Sequence, residues 1–270
     1  MVNVPMKSTA PLTRQTILSI NQIKVQGPKS SQDIASINSN ALQTSTAPAS
    51  HDNNSFPAQT SAPSSACQGP ASSVQNVPTQ ASKPIPQLIH TVQKGQKVPL
   101  EVSGKLSTIK ACLGWNTTNS NCDVDVSAFL LNSTGKVIGD TWFVFYGQTQ
   151  SPDSSTVFRV DAGADREIIS VDFTKLNPAV AKIVFVLTIN EALEKKLNFS
   201  MLKDAYIRII DVPTNNELVS FKMDEYYSNV TSMMIGEIYI HNGAWKFNAI
   251  GNGVARDLAG LCELYGVQVI

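Results

Sequence analysis

Cys112-Leu-Gly-Trp-Asn116, followed after a short polar stretch by Cys122-Asp-Val-Asp-Val-Ser-Ala-Phe-Leu-Leu-Asn132, is the part of the sequence that decides the fold. In an extended segment alternate side chains face the same way, so Asp123 and Asp125 point together while Val124 and Val126 point to the other face. Two like charges held that close repel. A bound cation makes the arrangement favourable, and hard oxygen ligands at this spacing suit Ca²⁺ better than a soft metal. The plain alternative is a pair of solvated carboxylates at the start of a strand.

Working outward, short runs rich in β-branched and aromatic residues recur between Gly, Asn, Asp, Ser and Pro. They predict strands at Val98–Val102, Ile109–Leu113, Val124–Leu131, Trp142–Phe145, Ile168–Phe173, Ile183–Ile189, Ala205–Ile210, Leu218–Met223, Met233–Tyr239 and Trp245–Ile250. Two helices interrupt the pattern, Glu191–Leu197 and Val254–Tyr265. In the second, Val254, Leu258, Leu261, Cys262 and Tyr265 share one face at helical spacing. Many strands at this spacing make the protein mainly β, a sandwich with short helices.

The same residues carry a resemblance to the TerD family of tellurium-resistance and general stress proteins. The blocks are Cys112-Leu-Gly-Trp-Asn116, Asp123-Val-Asp-Val-Ser-Ala-Phe-Leu-Leu131, Phe143-Val-Phe-Tyr146, Ser151-Pro-Asp153, Lys182-Ile-Val-Phe185, Ala205-Tyr-Ile-Arg208, Gly236-Glu-Ile-Tyr239 and Trp245-Lys-Phe247, in the family's order from roughly Leu88 to Ile270. The resemblance implies a TerD-like β-sandwich and a nonenzymatic stress-response role. It also implies a metal. In the family a long acidic loop joins the Asp-x-Asp strand in building calcium sites, and the corresponding segment here is Val160-Asp-Ala-Gly-Ala-Asp-Arg-Glu167.

That segment keeps Asp161, Asp165 and Glu167, lacks the middle of the family's loop, and carries Arg166 in place of an acid. Asn116 stands where the family has an aspartate after the tryptophan. The implied ligand set is therefore Asn116, Asp123, Asp125, Asp161, Asp165 and Glu167, enough with backbone carbonyls for one Ca²⁺ site. The competing expectation is that Arg166 replaces the cation and pairs with Asp123 or Asp165.

Composition divides the chain at Leu88. Ten of the 14 prolines fall in residues 1–87, and Phe56 is the only aromatic residue there. Such a segment cannot build a core. Residues 27–87, rich in Ser, Ala, Pro, Gln and Asn, read as a disordered N-terminal tether, and residues 88–270 as one domain. The apolar run Thr16–Val25 is a candidate strand or docking motif, or simply a short apolar run.

Lys+Arg and Asp+Glu both number 21. Residues 1–87 hold Lys7, Arg14, Lys24, Lys29 and Lys83 against Asp33 and Asp52, leaving 16 bases and 19 acids, a net charge of −3, for the domain. An acidic balance argues against nucleic acid as a partner. No apolar run reaches the roughly 20 residues of a membrane helix, and no secretory h-region opens the chain, so a cytoplasmic protein is expected. Cys67, Cys112, Cys122 and Cys262 have no metal-ligand or disulfide spacing and are expected as reduced thiols.

His90 and His241 neighbour no Gly-x-Ser-x-Gly elbow and no His-Glu-x-x-His helix, which argues against an enzyme. His241 falls beside an Asn-Gly hairpin turn, where a polar ring is ordinary. Protein partners of unknown identity are expected. The alternative functions are a small-ligand module of the cyclic-AMP-binding kind, with Arg159, Arg166 or Arg208 meeting the phosphate, and a tethered interaction scaffold.

Overall fold

The computed structural model of the protein describes residues 82–100, 102 and 105–269. Thr16–Val25 and Cys67 lie outside them. Within the described residues eleven strands run in the order β1 (Lys97–Pro99), β2 (Thr108–Thr117), β3 (Val124–Leu131), β4 (Phe143–Phe145), β5 (Thr156–Val160), β6 (Glu167–Asp172), β7 (Lys182–Ile189), β8 (Leu202–Asp211), β9 (Glu217–Lys222), β10 (Ser232–His241) and β11 (Ala244–Val254). Among the described residues two short helices, α1 (Ala192–Lys195) and α2 (Leu258–Tyr265), follow β7 and β11.

The strands form two antiparallel sheets. One has six strands in the order β1-β11-β10-β7-β3-β4, the other five in the order β5-β6-β2-β8-β9. Alternation along β3 assigns its faces. Val124, Val126, Ala128 and Leu130 enter the main core with Leu113 and Trp115 of β2, Ile169 and Val171 of β6, and Ala205, Ile207 and Ile209 of β8. Phe129 and Leu131 point the other way, into a second cluster with Phe143, Phe145, Leu261 and Cys262. Both faces of β3 are therefore covered, which is why a strand opening on two aspartates is otherwise almost wholly apolar.

The second cluster is an aromatic stack roofed by α2. Phe129 stacks on Phe143 at 4.4 Å between centroids and meets Tyr265 at 4.5 Å. The helix starts at Asp257, whose carboxylate accepts from the Gly260 amide, and stops at Gly266 with φ 84°. The predicted helix began at Val254. That residue instead ends β11, yet it still packs on the same cluster as Leu258, Leu261, Cys262 and Tyr265, so the apolar face was read correctly across an element boundary.

Strands 5 to 11 residues long lie close to their expected positions, with one exception. β5, Thr156–Val160, was not expected, because Arg159 and exposed Val160 break the apolar alternation and only Phe158 reaches the core. The Asn-Gly turn is present, with Asn242 at φ 53° and Gly243 at φ 77° joining β10 to β11. Among the described residues no helix is long and apolar enough to cross a membrane.

Trp115 is 2% exposed and sits in the main core near the end of β2. Trp115→Ala should cost about 3–5 kcal/mol of stability in urea unfolding, the range for emptying a large buried aromatic site.

Candidate functional site

The acidic segment is the hairpin between β5 and β6. Asp161 and Arg166 close it, the Asp161 amide donating to the Arg166 carbonyl at 2.8 Å. The Asp161 carboxylate folds inward and accepts from the Asp165 amide at 3.0 Å. The Arg166 amide donates to the Leu113 carbonyl at 2.8 Å, tying the loop to β2.

Asp165 is held from the outer face of the five-stranded sheet. Arg208 of β8 grips it through both oxygens, Nε at 3.0 Å and Nη2 at 2.7 Å, and the Tyr206 hydroxyl donates at 2.8 Å. Burial, reinforced by the Asp165 charge, pushes the Tyr206 phenol well above its usual pKa, so it remains a donor. The Tyr206 ring lies across Gly114, where an added Cβ would come within 2.4 Å of it. Gly114 is thus the residue of Cys112-Leu-Gly-Trp-Asn116 that lets the tyrosine reach the loop.

With its side chains turned inward or onto Arg208, the hairpin presents its backbone oxygens. The Lys83 ammonium donates to the carbonyls of Asp161 at 3.2 Å, Gly163 at 2.9 Å and Asp165 at 2.6 Å. Three donors meet three acceptors. The Lys83 backbone is fixed as well, its amide donating to Asn116 Oδ1 at 2.9 Å and its carbonyl accepting from Asn116 Nδ2 at 3.0 Å. Asn116 Nδ2 also reaches Asp204 at 3.3 Å. Arg166 is directed elsewhere: Nε donates to the Trp115 carbonyl at 2.5 Å, Nη2 to Asn116 Oδ1 at 3.3 Å, and the guanidinium lies 5.7 Å from the Trp115 ring centre.

The remaining candidates lie apart from this loop. Glu167 is buried between the sheets, where Oε2 accepts from the Val126 amide of β3 at 2.7 Å. Asp125 shares the outer face of the six-stranded sheet with Phe129 and borders a cavity beside Asp257 and Leu258. Asp123 precedes β3, and its carbonyl accepts from the Asn190 amide. Burial first, and then the carboxylates of Asp123, Glu167 and Glu191, raise the Tyr146 phenol far above its usual pKa.

Of the six expected ligands, Asn116, Asp161 and Asp165 gather around Lys83, Glu167 lies between the sheets, Asp125 lies on the opposite outer face, and Asp123 acts with Glu167 on Tyr146. Among the described residues no three His, Cys, Asp or Glu side chains converge as a metal site. What does fit a hard cation is the set of loop carbonyls.

The TerD domain profile matches residues 88–265. This chain belongs to the TerD family. It is 37% identical over 189 residues to general stress protein 16U of Bacillus subtilis (strain 168), covering 66% of this chain and 98% of that protein. It is 35% identical over 187 residues to the tellurium resistance protein TerD of Serratia marcescens, covering 66% and 97%. Chemical-damaging agent resistance protein B of Clostridium acetobutylicum matches at 38% over 109 residues, 40% of this chain and 78% of that one.

The sequence did not single out Tyr206 of the TerD domain or Lys83 just upstream of it as site residues, and it offered Arg208 only as a phosphate contact. A signal for the pair existed in Ala205-Tyr-Ile-Arg208, where strand alternation puts Tyr206 and Arg208 on one face. For Lys83 the available signal was its isolation, a lone base set before Pro84 and Pro86. Gly114→Ala should lower stability by about 1–3 kcal/mol through overpacking against the tyrosine ring. Adding Tyr206→Ala should recover part of that loss in a double-mutant cycle, since the new methyl then meets no ring.

Proposed function

We propose that this TerD-family chain is a nonenzymatic stress-response protein, working in the cytoplasm, whose 161–165 loop is a cation-receiving site shared between Lys83 and Ca²⁺. The observation that carries the reading is the trio of carbonyls around the Lys83 ammonium. Such oxygens are hard ligands of the kind calcium takes. The lysine comes from outside the 88–265 match, so the charge that fills the loop is supplied by the chain's own N-terminal segment.

Calcium bound there would draw on the carbonyls of Asp161, Gly163 and Asp165, with Asp161 as the nearest carboxylate. Asp165 would stay with Arg208, whose bidentate grip survives any change at the carbonyls. A partner protein that takes hold of the N-terminal segment would draw Lys83 from the loop and so compete with it.

Other observations favour this reading over its rivals. His90 Nδ1 is engaged with the Glu217 carbonyl at 2.8 Å, and His241 is exposed on a hairpin, so neither histidine is placed beside a nucleophile. Arg166 and Arg208, two of the three arginines offered to a cyclic nucleotide, already hold Trp115, Asn116 and Asp165. The three described cysteines are buried free thiols, as a reducing compartment favours.

The test is thermal unfolding of the full chain in calcium and in chelator, for the wild type and Lys83→Ala. Lys83→Ala should bind Ca²⁺ about tenfold more tightly, which at fixed calcium adds about 1.4 kcal/mol to the ligand-induced stabilisation. If neither protein responds to ~5 mM Ca²⁺, a generous excess for even a weak extracellular-type site, the calcium reading fails and Lys83 is a strap for the N-terminal segment alone.

A further inference from the structure

The cavity beside Asp125 lies on the other side of the sandwich from the Lys83 loop, between the outer face of the six-stranded sheet and the two helices. It measures about 210 Å³ and is bordered by β3, the residue after β4, the end of β7, α1 and the start of α2. We propose that this cavity binds a small primary amine, an ammonium group carried on a short apolar body.

Charge sets the class of ligand. Asp125, Glu191, Glu194 and Asp257 all line the cavity, and no Lys, Arg or His does. Glu191 also pairs with Lys195 at 2.6 Å, and Asp257 also caps α2, but the balance of the lining stays negative. The start of α2 would by itself favour an anion. Asp257 already occupies that position, so an incoming phosphate or carboxylate would meet four acids and an occupied helix end.

Two buried side chains add a second, independent observation. Ser127 is 2% exposed and Asn190 is 7% exposed, both line the cavity, and neither Ser127 Oγ nor Asn190 Oδ1 has a hydrogen-bond partner. A buried acceptor without a donor is costly, and native structures rarely leave one without reason. An ammonium group brings donors in the number and sign that these oxygens lack.

The wall and the rim favour an organic cation over a bare metal ion. Phe145, Ile189 and Leu258 line the cavity, and Leu193 of α1 leaves 57% of its surface exposed at the edge. Calcium wants six to eight oxygens, not an apolar wall. The rim is also strained, since α1 is bracketed by Glu191 at φ 52° and Lys196 at φ 54°, neither a glycine. Such conformations gather at ligand clamps, and here they set Leu193 at the mouth, where an apolar body would cover it.

This site is independent of the Lys83 loop. The full chain is titrated calorimetrically with butylamine and phenethylamine, with butanol and butyrate as neutral and anionic counterparts, and with calcium chloride. The amines should bind while butanol and butyrate do not. Exposed Glu194→Gln should weaken the amines severalfold, and Ser127→Ala about tenfold, the loss of one charge-assisted hydrogen bond. Lys83→Ala should leave amine binding unchanged. Equal binding of butanol would show a merely greasy cavity and overturn the proposal. Calcium binding that Glu194→Gln abolishes, without amine binding, would overturn it in favour of a metal site, and so would the absence of any amine binding up to ~10 mM, weaker than any specific site of this size.

Discussion

The bidentate contact between Arg208 and Asp165 is the interaction on which the geometry of the acidic hairpin depends. It takes the loop's best metal ligand and fastens it to the outer face of the five-stranded sheet, with Tyr206 as a second donor. Arg208 is largely buried and Asp165 more so. Each ion therefore needs the other, because removing one partner leaves an uncompensated buried charge. With the carboxylate fixed in that direction, and that of Asp161 folded onto the Asp165 amide, the loop has only its carbonyls left to offer outward. They converge on the Lys83 ammonium.

Asn116 completes the same logic. Where the family's pattern has an aspartate, this chain has an amide, and the amide does two things a carboxylate cannot do together. It accepts from the Lys83 amide and donates to the Lys83 carbonyl, pairing with the main chain as another peptide would. A carboxylate there would face the Lys83 carbonyl oxygen and the Asp204 carboxylate without a donor for either. The change from acid to amide, which from sequence reads as loss of a calcium ligand, is in the structure a gain of a docking contact for the segment upstream of Leu88.

That contrast marks how far the sequence could be read. Pattern alone was enough for the strands, because β3, β7 and β10 are short, largely apolar runs rich in β-branched and aromatic residues, buried on both faces along most of their length. Strand periodicity set Asp123 and Asp125 on one expected face. It could not show that the face of Asp125 is the one under α2, nor that Asp165 belongs to the far side of the other sheet, since which face of a strand meets which layer is a tertiary fact. Glu167 illustrates the point: its alternation with Ile169 and Val171 sends it inward, where it satisfies the Val126 amide beyond the end of short β4, and no local pattern foretells an orphan amide on another sheet. Arg166 was the natural neutralising charge by proximity in sequence. Arg208 won because it stands one strand beyond β2 on the face toward which Asp165 turns, while Arg166 is drawn to the Trp115 carbonyl and ring.

A two-layer sandwich has two outer faces, and in this chain they carry opposite charge arrangements. On the five-stranded side positive side chains close on the acidic hairpin, so an added cation must displace one already there. On the six-stranded side the acids line a cavity without a base, beside two buried oxygens that lack partners. The separation follows from the sheet itself, because alternate residues of β3 send the apolar side chains into the core and Asp125 and Ser127 away from it. A single-residue register slip in β3 would exchange the two sets, burying the carboxylates between the sheets. The apolar residues that hold β3 in place against β2 and β6 are therefore also what keeps the two charged regions from merging into one.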